Sequence, residues 1–540
     1  MEAQKLIELN PFLAADEGYA SVKAMLSSAS MLGAQHAEVE RLLGEQGREL
    51  LRRLFEGHLE LRGPGNVGPT LTDASGVVRT HRRVHERGLT STFGPVRVVH
   101  MGYQLAKSNS LYPLDASLNL PRESYSHGMR LIVARQASKV SFDEVGRTVE
   151  HFTGVRIPHR QIEDLALRAS VDFDAFYEER QRVGRVAANA PTATATAAAD
   201  ATAPIVVVTA DGKGVVMRPE HLRDATRKAA AARTHKMATR LSPGEKRGAK
   251  RMAEVASVYT IAPFPRTPEQ IVRVTSTLDD VNGGAVRPRP EHKRVWASLE
   301  HEPTQVIAEA FREAESRDPA HARRWVALLD GNASQIDAVV SSARAVGVEL
   351  TIVLDVVHVI EYLWSAVTAF EAQGTPAAEA WVSERLLRIL QGKACDVVAG
   401  MRRSATLRGL KGAARKAVDR CAGYLQRHAR SIRYDEYLAA GLPIATGVIE
   451  GACRYLVKDR MDITGARWSL CGGEAVLRLR ALQASGDFEA YWEYHLRREH
   501  ERNHLVHYPE SKAPSARPTP PPARAARPSY LRVVRGNEVN

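Results

Sequence analysis

Three apolar, β-branched runs in this chain each end in an aspartate, and that recurrence constrains the fold more than any other feature. Pro204-Ile205-Val206-Val207-Val208-Thr209-Ala210 leads to Asp211, Trp325-Val326-Ala327-Leu328-Leu329 leads to Asp330, and Leu350-Thr351-Ile352-Val353-Leu354 leads to Asp355, with His358 one turn on. Short continuous apolar runs of this kind read as strands buried on both faces. A carboxylate at the tip of such a strand caps the next helix or turn, or holds a metal ion. A fourth acid, Glu450, lies in Gly447-Val448-Ile449-Glu450-Gly451-Ala452-Cys453, whose apolar residues suggest a helix packed against that sheet. Oxygen ligands in this number suit hard divalent cations, Mg2+ or Mn2+, and a pair of such ions supports phosphoryl transfer on nucleic acid.

A chain of 540 residues has room for several cores. No apolar run approaches the roughly 20 residues of a membrane span, and the start Met1-Glu2-Ala3-Gln4-Lys5 has no signal-peptide core, so a cytoplasmic, nucleoid-associated protein with no membrane partner is expected. Cys395, Cys421, Cys453 and Cys471 form no Cys-x-x-Cys pair, which indicates neither a zinc ribbon nor a disulfide framework. The net charge of +13 and a pI near 9.6 favour a polyanionic partner.

The chain reads as a helical opening over residues 1–62, a small β-rich module without zinc ligands over 63–125, and a helix-turn-helix-like region over 126–184. A low-complexity linker over 185–204 precedes a catalytic domain over 205–500, and a basic, proline-rich tail covers 501–540. In the helix-turn-helix-like region, Ser141 with Glu144 makes a capping box, Gly154 suits a C-cap and Pro158 a first turn. That places Arg156, His159, Arg160 and Gln161 to meet DNA, although an ordinary helical hairpin gives the same signals.

Beyond the linker the expected order is a strand to Asp211, a turn, a strand over 215–218, a basic insertion and a strand over 255–261. A helix over 305–317, a strand to Asp330, a helix over 333–346 and a strand to Asp355 follow. This β-β-β-α-β-α-β order is that of a ribonuclease H-like core, an α/β fold within a multi-domain α+β chain. In that fold the first and fourth strands and a later helix deliver three acids, which selects Asp211, Asp330 and Glu450, with a helical insertion over about 359–440.

Thr209-Ala210-Asp211-Gly212-Lys213-Gly214-Val215, Leu354-Asp355-Val356-Val357-His358-Val359 and Gly447-Val448-Ile449-Glu450-Gly451-Ala452-Cys453-Arg454-Tyr455-Leu456, continuing through Gly465-Ala466-Arg467-Trp468, carry a family resemblance. Over residues 205–495 the chain resembles bacterial insertion-sequence transposases of the Asp-Asp-Glu type, most closely the ISKra-type family, and it does so more loosely through Phe93-Gly94-Pro95-Val96 and Tyr112-Pro113-Leu114-Asp115. The resemblance implies DNA strand cleavage and strand transfer, with Mg2+ or Mn2+ held by Asp211, Asp330 and Glu450. It also implies Asp355 and His358 as accessory site residues, terminal inverted repeats and target DNA as double-stranded partners, and a homo-oligomer. Relatives often carry a cysteine-rich zinc ribbon ahead of the Pro-Leu-Asp segment; this chain has no cysteine there. The assignment of the second acid stays open between Asp330 and Asp355.

Arg223, Arg227, Lys228, Arg233, Lys236, Arg240, Lys246, Arg247, Lys250 and Arg251 crowd the basic insertion, either to clamp phosphates or as a solvated loop. Lys458, Arg460 and Arg467 are expected strand contacts, and Trp468 either stacks on a base or fills the core. Two other classes share these features: a ribonuclease H-like nuclease or resolvase that cuts without joining, and a non-catalytic DNA-binding protein derived from a transposase.

Overall fold

Strand-forming residues cluster in two places along the chain, and each cluster belongs to a separate unit. The computed structural model describes residues 10–105, 108–188, 205–232, 249–276 and 287–515. Arg233, Lys236, Arg240, Lys246 and Arg247 of the expected phosphate clamp lie outside the described residues, as do residues 189–204 of the linker and the tail from 516 onward.

The first unit takes in Met1–Val133, Asp143–Gln161 and Tyr494–Asn540. It contains two short paired strands, β1 (Leu71–Thr72) and β2 (Val78–Arg79), and a long antiparallel hairpin of β3 (His81–Ser91) and β4 (Gly94–Gln104). Alternate residues of β4 turn inward, and Val96 and Val98 join Leu89, Leu114, Leu120 and Leu59 of helix His36–Leu61 in a small core. The helix Phe142–Thr153 ends as its sequence suggests: Gly154, at a φ of 68°, returns its N–H to Glu150 O at 2.9 Å. Helix His159–Ala169 follows Pro158, and the boundary between the units falls within it, after Gln161. Arg156, His159 and Arg160 are exposed.

The second unit takes in Ala134–Phe142 and Ile162–Glu493 and is built on a five-stranded mixed sheet. Its strands are β5 (Ile205–Val216), β6 (Lys250–Ile261), β7 (Glu291–Ser298), β8 (Arg324–Leu329) and β9 (Leu350–Leu354), in spatial order β7-β6-β5-β8-β9. The pairs β5/β6 and β6/β7 are antiparallel, and β5/β8 and β8/β9 are parallel. Parallel neighbours need a crossover, and helices Pro303–Arg317 and Ala333–Val346 stand before β8 and β9. Helices Val356–Val367, Pro376–Leu390, Ala394–Leu407, Gly412–Arg427 and Tyr434–Ala439 then share a continuous core with one face of the sheet before helix Gly447–Ala452 begins. No helix among the described residues is long and apolar enough to cross a membrane.

Three expectations are corrected here. No turn follows Asp211: β5 runs 12 residues without interruption and pairs with β6 from Ile205 to Val216, so the separate strand over 215–218 is its continuation. Gly212 and Gly214 serve as extended residues whose missing Cβ makes room for Met252 and Lys250 across the ladder, each 3.0 Å from where a Cβ would lie. The basic insertion consequently falls between the first and second strands of the sheet, not the second and third. The third antiparallel strand is β7, whose charged start Glu291-His292-Lys293-Arg294 hides it in the sequence.

Arg294 explains how that start is tolerated at a sheet edge. The residue is 3 % exposed, donates to Glu313 at 2.8 Å and Glu309 at 2.7 Å, and lies 3.5 Å from the Tyr177 ring centroid. A buried cation needs such partners, since an uncompensated one is strongly destabilising. Arg294→Ala should cost about 3 kcal/mol, the lower end for breaking a buried pair because Arg317 still holds Glu313, read as a shift in the denaturant unfolding midpoint.

Candidate metal centre

The two parallel registers decide where the aspartates meet. Thr209 pairs with Leu328, and Leu329 with Leu354; continuing those registers sets Asp211 level with Asp330, and Asp330 level with Asp355, on three adjacent strands. Strand ends at the carboxyl edge of a parallel sheet are where α/β folds place their ligands. Asp330 occupies the middle of the row. Its Oδ1 accepts the Asn332 N–H at 2.8 Å in a turn that Gly331 completes at a φ of 96°. Asn332 then caps helix Ala333–Val346, and the Tyr424 hydroxyl holds the Asp330 carbonyl at 2.8 Å.

Asp355 has a different environment. It is fully buried and caps helix Val356–Val367. Its Oδ1 accepts from Val357 N at 3.1 Å and Thr446 N at 3.2 Å, and its Oδ2 from His358 Nδ1 at 3.0 Å and from the Thr446 hydroxyl. Burial acts to raise its pKa, but the bonds from His358, Thr446 and the two backbone amides outweigh burial and hold the carboxyl below its usual range. The same contact lifts His358 to about 9: the Asp355 hydrogen bond leads, burial opposes it, and the charges of Asp355, Asp330 and Glu361 add to it. His358 is therefore an imidazolium at neutral pH.

Glu450 approaches from the exposed side of helix Gly447–Ala452. Ligand atoms of Asp355, His358 and Glu450 lie within 4.8 Å of one another. That trio is nonetheless a poor cation cage. A carboxylate has about four acceptor positions, and those of Asp355 are filled, with His358 Nδ1 engaged in one of these bonds. Glu450 is different again: burial and then the charge of Asp355 raise its pKa, with Thr446 and His358 partly offsetting them. Its Oε1 lies 3.2 Å from the Thr446 hydroxyl, which is shared between this carboxylate and Asp355.

The segment after Glu450 reaches back to the first strand. Residues Cys453–Lys458 form a π-helical turn, and the Cys453 thiol donates to Asp211 Oδ2 at 3.3 Å. Burial and then the adjacent Asp211 carboxylate push that thiol well above its usual range, so it remains a donor. Turns of this type are frequent at functional sites.

Sequence reasoning missed Glu254. It stands on β6 opposite Gly212, is 5 % exposed and accepts from Gln335 Nε2 at 2.7 Å. Burial raises its pKa to about 7, with Asp211 and Asp330 adding to the effect and Gln335 and Arg223 opposing it. A lone acid within the run Met252-Ala253-Glu254-Val255-Ala256 was the available signal.

The expected DNA contacts divide by exposure. Lys250, Lys458 and Arg467 are exposed, as are Arg156 and Arg160 of the first unit. Arg251 is half-buried and donates to Leu299 O at 2.7 Å, a backbone clip. Arg460 is corrected: it is 2 % exposed, donates to Ala137 O at 3.1 Å and sits by the rings of Phe142 and Trp468, so it fills the core. Trp468 is likewise core, 6 % exposed, with its indole N–H given to Met461 O. Comparison of the sequence with protein-family models, and with curated proteins, gave no match.

The His358–Asp355 pair has a defined pH signature. A pKa raised from 6.5 to about 9 means that folding gains from His358 in full below pH 6.5 and loses that gain as pH rises through 9. The Asp355 side runs the other way, with its gain present above the ordinary carboxyl pKa and lost as pH falls below it. His358→Ala should therefore cost on the order of 1–2 kcal/mol near pH 6, discounted for an imidazole that is one-third exposed, and the difference from wild type should shrink toward pH 10 in unfolding titrations.

Proposed function

We propose that this chain is a DNA transposase that cleaves and joins strands by divalent-metal-dependent phosphoryl transfer. The observation that carries the reading is the alignment of Asp211 and Asp330 on the adjacent parallel strands β5 and β8, with Glu450 joined to the same edge through Thr446 and Asp355. The sheet order β7-β6-β5-β8-β9, with the first three strands antiparallel and the last two parallel to β5, is the order expected of a ribonuclease H-like core. The long helical stretch before Glu450 is in keeping with the insertion that the family resemblance implies.

The donor set suits a hard cation. Among the described residues, the Asp330 carboxylate accepts a single amide bond and Asp211 accepts its neighbour's N–H and a weak thiol donor, which leaves acceptor positions on both. Asp211, Asp330 and Glu450 would hold Mg2+ or Mn2+. When bound, such ions supply activation of a water or 3′-hydroxyl and charge stabilisation on the leaving oxygen. Asp355 fixes the ring of His358 and, through Thr446, the helix that carries Glu450. The remaining N–H of the His358 imidazolium is available to a phosphate oxygen. Lys458 and Arg467, exposed after Glu450, add salt-sensitive contacts to the DNA backbone.

Purified protein incubated with Mg2+ and labelled DNA carrying the ends that flank its own gene should give joined strands. Asp211→Asn, Asp330→Asn and Glu450→Gln should each lower the yield by roughly 10²–10³-fold, the scale on which single electrostatic contributors to catalysis are lost. Asp355→Asn should lower it while also lowering the unfolding midpoint. Cleavage without joining would replace the transposase by a nuclease, and binding without cleavage under any metal would replace it by a non-catalytic protein.

A further inference from the structure

Past the aspartate row, one edge of β5 is left open. Its parallel pairing with β8 ends where Thr209 meets Leu328, and among the described residues that edge has no further ladder partner until Trp468 bonds the backbone of Val216 and Arg218. The stretch between holds Gly212-Lys213-Gly214, all three half-buried. Glycine and lysine are poor strand formers, and a glycine in a strand often marks the close approach of a ligand or another backbone. Side chains alternate along a strand, so Lys213 stands on the face of Asp211, about 7 Å further on. The pairing with β6 is unbroken from Asp211 to Val216, so no bulge resets that alternation. The Cys453 thiol, which donates to Asp211, is governed by burial, then by Asp211, and next by the opposing charge of Lys213. Among the described residues the Lys213 ammonium makes no hydrogen bond and no ion pair. A half-buried cation has given up part of its water, and an anion that completes it is favoured.

We propose that Lys213 binds the DNA strand at this edge directly, its ammonium paired with a non-bridging oxygen of the phosphate brought to Asp211 and Asp330. This rests on the reading of that edge as the place of strand cleavage. The flexible four-carbon stem of lysine spans the distance between the two positions, and its three donors suit a phosphate approached from the side. Gly212 and Gly214 carry no side chain to obstruct the open edge, so a phosphate backbone can lie against it. Lys213 differs in this from Lys458 and Arg467, which are fully exposed and follow Glu450 on another segment.

Binding of the full chain to a labelled duplex carrying the ends that flank its own gene, followed by fluorescence anisotropy in Ca2+ over a series of salt concentrations, tests this. Lys213→Met should lower the slope of log affinity against log salt by about 0.9, the loss of one phosphate contact, and Lys213→Arg should keep the wild-type slope. On a duplex whose phosphate at the cleavage position is a neutral methylphosphonate, Lys213→Met and wild type should bind alike; a difference that persists there overturns the proposal. A lysine that only offsets the neighbouring acids predicts a lower unfolding midpoint for Lys213→Met with the slope unchanged. That result overturns the proposal, as does an unchanged slope with an unchanged midpoint. Either leaves the transposase reading standing where the wild type still cleaves and joins strands. Should Lys213→Met fail to fold, Lys213→Gln decides by the same slope. Wild-type protein that neither binds nor cleaves DNA carrying those ends overturns both.

Discussion

The line of aspartates in this molecule depends on the parallel register of β5, β8 and β9. Parallel strands run in step, so residues that end their apolar runs are carried to a common line, although β5 itself continues past Asp211 to Val216. A slip of one residue would turn an acid to the other face of the sheet. The runs themselves lie inside the fold, with Val206, Val207, Val326, Ala327 and Leu328 fully buried. Hydrophobic burial along the strands thus forces like charges together at their ends. The repulsion is met locally by hydrogen bonds, a thiol donor and the His358 imidazolium.

Within the row the acids are unequal, and the inequality has a structural source. Asp355 is consumed by four donors from its own helix and from Thr446, whereas Asp330, one strand away, accepts a single amide N–H among the described residues. The helical segment between β9 and Glu450 contributes directly to this division. Tyr424, Tyr434 and Tyr437 reach from it to the carbonyls of Asp330, Leu354 and Ile352, bracing the ends of β8 and β9 with bonds that leave the carboxylates untouched. Val356 N donates to Ile444 O, so the chain leaving the insertion is tied to the same edge. These helices act as a buttress for the ends of β8 and β9.

Much of this edge could be read from the chain because burial on both faces leaves an unbroken apolar run, and such a run names its own end. Asp211, Asp330 and Asp355 were found that way, and helix Ala333–Val346 was bounded by its Asn332 cap and by Gly347, at a φ of 78°. Other features depend on tertiary partners that no local pattern shows. β7 begins with charges because Glu309 and Glu313 neutralise Arg294 from a helix that follows it. Asp211-Gly212 reads as a turn until β6 is laid beside it and the glycines prove to be spaces for neighbouring side chains. Arg460 reads as a phosphate contact because nothing in the sequence places Phe142 and Trp468 around it. The difference between Asp330 and Asp355 lies in the count of donors around each, which is a property of the folded edge alone.

The π-helical turn accounts for the way Glu450 and Asp211 come to share that edge. Ile449, Cys453, Val457 and Met461 recur every four residues and are all buried, as are Ala452, Leu456 and Arg460 at the same spacing. In an α-helix of 3.6 residues per turn, a spacing of four rotates away by roughly 40° at each step, and two stripes of that kind would soon leave the core. Widening the turn over Cys453–Lys458 absorbs the excess and keeps both stripes against the sheet. It also keeps Cys453 pointed at Asp211 one turn after Glu450 has met Thr446. Glu450 therefore lies between two contacts that its own segment makes with the aspartate row, Thr446 with Asp355 and Cys453 with Asp211.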